Sequence, residues 1–106
     1  MTDTGTRPQV DVVDDPDQQV FLAKLEDGTV AGGAHYRRHA DVVTFTHTVV
    51  EPEFEGKGIG SQLAKGALDA VREAGRRIVP QCSFIRAYVD RHPDYRDLLD
   101  DGTHGA

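Results

Sequence analysis

A glycine-rich stretch is the part of this sequence best suited to bind a ligand. Its residues are Glu55, Gly56, Lys57, Gly58, Ile59, Gly60 and Ser61, directly before a run with helical periodicity. Glycine has no Cβ, so its backbone adopts left-handed angles and lets another group come close. The N–H groups of a helix's first turn lack intrahelical partners and lie at the positive end of the helix dipole. The stretch predicts a phosphate or pyrophosphate site, although a plain glycine turn into a helix fits the spacing equally well.

Two well-known phosphate motifs do not match this stretch. A P-loop has glycine, four residues and then Gly-Lys-Ser/Thr, but Gly58 follows Lys57 here, and the residue five before Gly56 is Glu51. A dinucleotide fingerprint has the pattern G-x-G-x-x-G inside a βαβ unit. The third glycine, Gly60, comes one residue early for that pattern, and the preceding strands resemble hairpins. Both motifs are therefore excluded.

Two side chains of reactive type lie outside the glycine stretch. Cys82 stands between a predicted strand and a predicted helix, and thiols at helix N-termini ionise readily. His47 is the best general base by residue type. Each has a plain structural alternative, because free cysteines are usually buried and a core histidine can bond a backbone carbonyl. His35 and His39 flank a predicted turn rather than share a helix face, so no metal site is predicted.

Hydrophobic periodicity predicts the elements that position these residues. The predicted strands are 18–25, 29–37, 42–50 and 76–81, and the predicted helices are 59–74 and 83–91, with a short turn over 94–99. Asp27-Gly28 between apolar runs indicates a hairpin. Gly32 and Gly33 indicate a bulge or a close backbone approach. In the third strand, strict alternation puts His47 on the more apolar face, which it shares with Val43, Phe45 and Val49.

The order β-β-β-α-β-α predicts an α/β (α+β) fold with a single, mainly antiparallel sheet. The domain is expected to span 18–99. Residues 1–17 are expected to form a flexible arm that is loose or ends in a short edge strand, since Val10, Val12 and Val13 are its only apolar patch. Residues 100–106 are polar and are expected to be a disordered tail.

Length and charge exclude several classes of protein. A chain of 106 residues indicates one domain with a modest core. The formal charge of -6 argues against binding to nucleic acid or to an anionic membrane. No stretch has the apolar length of a membrane span. A single cysteine cannot form an internal disulfide, which suits a reducing, cytoplasmic location.

The strand, the glycine loop and the amphipathic helix together resemble the Q/R-x-x-G-x-G/A acetyl-coenzyme A signature of the GNAT superfamily of N-acetyltransferases. Gly58 and Gly60 match its two glycines, whereas Glu55 stands where glutamine or arginine is usual. The runs HTVVEP (47–52) and PQCSFIRAY (80–88), closing on His92-Pro93, resemble the short, minimal GNAT-like branch of that superfamily. The resemblance covers about residues 18–99.

The resemblance implies that acetyl-coenzyme A is the co-substrate and that the sheet opens beside the strand before the loop. The pantetheine arm is then expected on the backbone of Val49 and Val50, and the pyrophosphate on the amides of residues 56–61. The implied cofactor-binding residues are Val49, Val50, Glu55, Gly56, Lys57, Gly58, Ile59, Gly60, Ser61 and Tyr88. Tyr88 fits core packing equally well, because it shares its helical spacing with Phe84 and Ile85.

The implied activity is transfer of an acetyl group from a thioester to an amine. Such a reaction needs a neutral amine, a donor to the tetrahedral oxyanion and a proton for the leaving thiolate. His47 is the expected base, and Cys82 is expected to be nucleophile, acid or oxyanion donor. The alternative is a non-catalytic regulatory module that binds coenzyme A or acyl-coenzyme A. The acceptor, an amine on a small molecule or a protein, and the oligomeric state stay open.

Overall fold

A computed structural model describes residues 9–100 of the chain. The strands are β1 (Asp11–Asp15), β2 (Val20–Lys24), β3 (Val30–His39), β4 (Val42–Val50) and β5 (Arg77–Pro80), and the helices are α1 (Ile59–Glu73) and α2 (Ser83–Arg91). The 3₁₀ helices Pro52–Phe54 and Pro93–Leu98 precede α1 and follow α2. The strands lie side by side in chain order, antiparallel from β1 to β4, with β5 parallel to β4. The predicted single, mainly antiparallel sheet is confirmed, with one more strand than expected.

The additional strand, β1, pairs antiparallel with β2 along the sheet edge. Val12 packs closely on α1, since a Cβ at Gly66 would lie 2.4 Å from Val12 Cγ2. The sheet therefore begins before residue 18. Residues Asp11–Asp15 form an edge strand, which was one of the two alternatives predicted for the N-terminal arm from its valine patch. Residues 1–8 of the expected arm and 101–106 of the expected tail lie outside the described residues. Asp100 N–H donates to Ile78 O at 2.8 Å.

The core lies between α1, α2 and one face of the sheet, which we call the inner face. This face carries Phe21, Tyr36 and Phe45, whose ring centroids are 5.0–6.3 Å apart. The apolar stripe of α1 is buried against it, as its helical spacing predicts. The buried residues of α1 are Ile59, Leu63, Ala64, Ala67, Leu68 and Val71. Among residues 9–100, no helix is both long and apolar enough to cross a membrane.

A β-bulge in β4 exchanges the faces of its second half. Tyr36 pairs with Phe45, but His35 pairs with His47, so Thr46 is an extra residue without a partner opposite it. Beyond the bulge, side chains that strict alternation would turn outward face the core, and side chains that it would turn inward lie on the outer face. The predicted apolar face is therefore right for Phe45, which is buried, and wrong for His47, which is exposed on the outer face.

The contact between β1 and α1 gives a stability prediction. We expect Gly66→Ala to lower the free energy of unfolding by up to about 2 kcal/mol, because overpacking costs about 1–3 kcal/mol and the helix propensity of alanine offsets about 1 kcal/mol. In a Val12→Gly background the steric conflict is absent, so the same change should raise stability by up to about 1 kcal/mol. Urea unfolding of the four proteins measures both values. A stabilising Gly66→Ala in the wild-type background would show that β1 does not pack there.

Candidate functional site

The sheet has an opening where β4 and β5 stop pairing. Their parallel register runs from Val42 with Arg77 to Phe45 with Pro80 and goes no further. Pro80 has no backbone N–H, and the chain then turns into α2. Among the described residues, no strand lies beside residues 46–50 of β4 on the side away from β3. This part of β4 therefore leaves one backbone edge open.

The hydrogen bond at the end of β4 shows which backbone groups face this opening. Glu51 N–H donates to Ala31 O at 2.8 Å, so Glu51 bonds toward β3. Because peptide groups alternate along a strand, Val49 also bonds toward β3, and Thr48 and Val50 face the opening. In agreement, Val49 O lies 2.6 Å from the position of a Cβ at Gly32. Of the two predicted pantetheine contacts, Val50 thus presents its backbone to the opening, and Val49 does not.

The glycine loop has left-handed backbone at two positions, with φ of 79° at Gly56 and 80° at Gly58. Gly58 is the N-cap of α1, and no side chain of the described residues caps this helix. The first-turn N–H groups of Ile59, Gly60 and Ser61 therefore point out of the helix end without a side-chain acceptor. This geometry is the one that an anion requires.

A groove of about 260 Å³ connects the glycine loop to the end of β4. Val50, Phe54 and Phe84 line it together with residues of the loop. Pockets for whole small molecules measure about 300–1,000 Å³, so this groove suits one part of a long ligand. It brings together most of the predicted cofactor-binding residues; the three that do not line it are Val49, Lys57 and Tyr88.

Phe84 is a site residue that the sequence interpretation assigned only to the core. A Cβ at Gly60 would lie 2.8 Å from Phe84 Cζ, so the missing side chain at Gly60 gives room to this ring. Gly60 therefore has a packing role between α1 and α2. The sequence interpretation explained this glycine only by the close approach of a pyrophosphate. The position of Phe84 in the first turn of α2, directly after β5, was the signal in the sequence for this role.

The charges around the loop are mixed. Glu51, Glu53, Glu55 and Lys57 are all exposed. Three carboxylates and one ammonium group give this segment a negative balance, which opposes a phosphate. Attraction for an anion must therefore come mainly from the backbone N–H groups and the helix dipole.

Cys82 is the N-cap residue of α2 and joins the core cluster, with 5% of its surface exposed. Its N–H donates to Phe45 O at 2.9 Å, which holds the start of α2 to β4 where the strand pairing ends. Its Sγ lies 3.3 Å from Thr48 Oγ1. Thr48, turned inward by the bulge, is a neighbour that strict alternation did not predict. The catalytic role of Cys82 stays a prediction.

His47 lies on the face of β4 opposite to Cys82. Its ring stacks on that of His35, with centroids 4.4 Å apart and planes 11° from parallel. Thr46 Oγ1 is 3.2 Å from His47 Nδ1. Burial, and then the proximity of His47, lower the pKa of His35. The sequence interpretation did not combine these histidines, because without the bulge Thr46 would stand opposite His35.

Tyr88 lies on α2, outside the groove at the glycine loop. Its ring stacks on His92 with centroids 4.0 Å apart, and Tyr95 is 6.0 Å away. Burial raises the pKa of Tyr88. Its surroundings fit the core alternative, and contact with a cofactor stays a prediction.

Comparison with known families agrees with this geometry. Residues 20–98 match the model of the GCN5-related N-acetyltransferases. This chain belongs to the GCN5-related N-acetyltransferase family, which confirms the resemblance drawn from the sequence.

Individual relatives cover different parts of the chain. Protein NATD1 of Gallus gallus and of Mus musculus is 38% identical over 52 residues, which are 49% of this chain and 47% of each relative. For NATD1 of Homo sapiens, the same identity covers 46% of the relative. The chain thus spans about half the length of the curated relatives it matches. A GCN5-like protein from Staphylococcus aureus, solved by NMR, aligns with a TM-score of 0.63 and 22% identity over 92% of this chain and 98% of its own, which supports the fold.

The left-handed backbone at Gly58 gives a second stability prediction. We expect Gly58→Ala to cost about 1–2 kcal/mol, Gly58→Asn less and Gly58→Val more, because asparagine tolerates this conformation and β-branched residues do not. The same three substitutions at Lys57, where the backbone is not left-handed, serve as the control and should change stability by under about 0.5 kcal/mol. Equal losses for all three residues at Gly58 would contradict the assigned loop conformation.

Proposed function

We propose that this protein binds acetyl-coenzyme A at the opening beside β4 and transfers the acetyl group to an amine. The observation that supports this proposal is the open backbone edge of Thr48 and Val50 next to an uncapped helix N-terminus. An extended chain of amides can add to a free strand edge, and a pyrophosphate can accept from first-turn N–H groups. Coenzyme A carries both groups. Family membership supports the same function.

The pantetheine arm and the pyrophosphate of coenzyme A need different partners, and the chain offers backbone groups for both. The amides of pantetheine would bond to backbone of Thr48 and Val50, and its methylene groups would contact Val50 and Phe84. The pyrophosphate would accept from the N–H groups of Ile59, Gly60 and Ser61. Because these are backbone groups, the departure at Glu55 from the usual glutamine or arginine removes one side-chain contact and leaves the rest.

In acetyl transfer the amine nitrogen attacks the thioester carbonyl carbon. The C–N bond forms, the C–S bond breaks, and the amine gives up a proton as the thiolate leaves and gains one. The thiol of Cys82 and the hydroxyl of Thr48, 3.3 Å apart at the closed end of the opening, would donate to the oxyanion or to the leaving thiolate. His47, on the outer face, would accept the amine proton. A cytoplasmic location suits the single unpaired thiol.

The charges near the loop give a test of the pyrophosphate position. We expect Glu55→Gln to tighten acetyl-coenzyme A binding about two- to fivefold and Lys57→Gln to weaken it by a similar factor, because each changes one exposed charge near a phosphate. Isothermal titration calorimetry at low salt measures both. Both effects should fade at high ionic strength.

Glu73→Gln is the matched control, since Glu73 ends α1 at the opposite end from the loop. Its affinity should equal that of the wild type. If Glu55→Gln and Glu73→Gln change affinity equally, only the total charge matters, and the pyrophosphate does not lie at the loop. If no variant and no wild-type protein binds acetyl-coenzyme A, the proposed function fails.

Cys82 gives a test of the chemistry. A nucleophilic thiol would hold the acetyl group, so intact-mass spectrometry after acid quench should then show one added acetyl group in the absence of an amine. A thiol that only donates a proton should show no such adduct. In either case we expect Cys82→Ala to lower kcat at least about tenfold with little change in cofactor affinity.

Cys82→Ser separates these roles, because a hydroxyl can still donate a hydrogen bond but is a weaker nucleophile. A rate close to wild type for Cys82→Ala would show that the residue only packs in the core. Cofactor binding without transfer to any member of a broad amine panel would favour the regulatory module instead of the transferase.

A further inference from the structure

A second groove lies on the outer face of the β3–β4 hairpin, opposite to the core. It measures about 560 Å³, within the range of small-molecule sites. Its lining includes the stacked pair His35 and His47, together with Arg37, Arg38 and His39. We call it the outer-face groove. It is separate from the groove at the glycine loop.

The charge of the outer-face groove differs from that of the rest of the chain. The protein has 18 acidic residues and a formal charge of -6. Among the described residues that line this groove there are two arginines and three histidines, and none is an aspartate or a glutamate. A cationic groove on an acidic protein attracts an anion locally.

The histidine pair adds a second reason to expect an anion. The two rings face each other at 4.4 Å, so protonation of both places two positive charges side by side. Burial and His47 already lower the pKa of His35. An anion that accepts from both rings would offset this repulsion. Arg37, His39 and Thr46 share the outer face with the pair, and Gln18 and Gln19 from the turn after β1 also line the groove. Arg38 pairs with the buried Val43, so its side chain belongs to the inner face.

The groove borders the opening in the sheet. Thr46 and His47 line it, and they belong to the first part of β4 that β5 leaves unpaired. The next residue, Thr48, turns to the inner face and contacts Cys82. A molecule in the outer-face groove thus lies against the same stretch of β4 as a thioester placed on the inner side.

We propose that the outer-face groove binds the acceptor and selects primary amines that carry an anionic group, a carboxylate or a phosphate. This inference rests on the proposed acetyl transfer and specifies its substrate class. Arg37, which points to the outer face like His35 and His39, holds the anionic group, and the amine lies toward the bulge at Thr46. A primary amine without an anionic group is cationic when protonated, and the same groups repel it.

The cationic surroundings also suit the reaction. Positive charges near an ammonium group favour its neutral form, which is the form that attacks. The nitrogen lone pair forms the C–N bond to the acetyl carbon, the C–S bond breaks, and coenzyme A leaves as thiolate. The amine proton passes to the histidine pair or to water, so no other reactant is needed.

The first test measures anion binding without the cofactor. Histidine ring protons are followed by NMR during a titration with inorganic phosphate, with sodium chloride at equal ionic strength as the reference. We expect saturable shifts of the ring protons of His35 and His47 as phosphate binds. His92, whose Nδ1 lies 2.9 Å from Tyr88 O on α2, is the internal control and should not respond.

The double variant R37Q/R38Q should lose at least about tenfold in phosphate affinity, because charge-assisted hydrogen bonds to a phosphate are lost. R96Q removes an exposed arginine on the 3₁₀ helix Pro93–Leu98, outside the groove, and should bind phosphate like the wild type. Equal responses of all histidines, or no difference between the two variants, would overturn the proposal.

The second test compares acceptors of the same length. The pairs are O-phosphoethanolamine with ethanolamine, and β-alanine with β-alaninamide. We expect kcat/KM to favour the anionic member about tenfold or more in the wild type and in R96Q, and this preference to collapse in R37Q/R38Q. Acetyl-coenzyme A affinity, measured by calorimetry, should be equal in all three proteins.

The outcomes separate the two proposals. Transfer that favours the uncharged amines would overturn the acceptor assignment and leave the transferase standing. If acetyl-coenzyme A does not bind, the proposed function fails, whereas the histidine titration still decides whether the groove is an anion site. Absence of saturable phosphate binding at His35 and His47 overturns the inference in every case.

Discussion

The parallel pairing of β5 with only the first part of β4 is the constraint on which the site depends. Residues 42–45 of β4 have partners on both sides, Thr46 has none opposite it, and residues 47–50 have a partner only in β3. Two features end the pairing of β4 with β5. Pro80 lacks a backbone N–H donor, and the extra residue Thr46 bends β4 at the same level. Cys82 N–H takes the next bond to Phe45 O and thereby turns the chain into α2. The result is an open edge on β4 beyond the end of β5.

The glycine loop is useful because it lies at the end of this open edge. Gly58 in left-handed conformation starts α1 directly after the 3₁₀ helix that follows β4, so the uncapped helix end and the free strand edge meet. Gly60 lets Phe84 close the groove from the side of α2. A single glycine thus serves packing and leaves the first-turn amides uncovered. The family's signature glycines are explained here by backbone shape as much as by contact with a ligand.

The features that local signals control could be predicted from the sequence. The glycine loop, the helices and strand β4 follow from backbone preferences and from the period of apolar residues. The bulge at Thr46 could not be predicted, because the pairing of His35 with His47 rather than Thr46 depends on how two strands fit together. That one residue decided the faces of His47 and Thr48. Gly32 did signal local irregularity: it approaches Val49 O closely, and the neighbouring Ala31 is an extra residue in the pairing of β3 with β2. The valine patch of β1 was too short to distinguish a strand from an arm.

The bulge also explains how a chain with a modest core can carry a polar site. No polar or charged residue is buried among the described residues, so the core has no ionic groups that need compensation. The polar groups of the opening are backbone groups of β4 and α1 that the topology leaves unpaired, and water can satisfy them when no ligand is bound. The extra residue then turns neighbouring side chains of β4 to opposite faces, with Thr48 beside Cys82 on one and His47 beside His35 on the other. One strand therefore presents side chains of reactive type on both of its faces without placing a charge inside the protein.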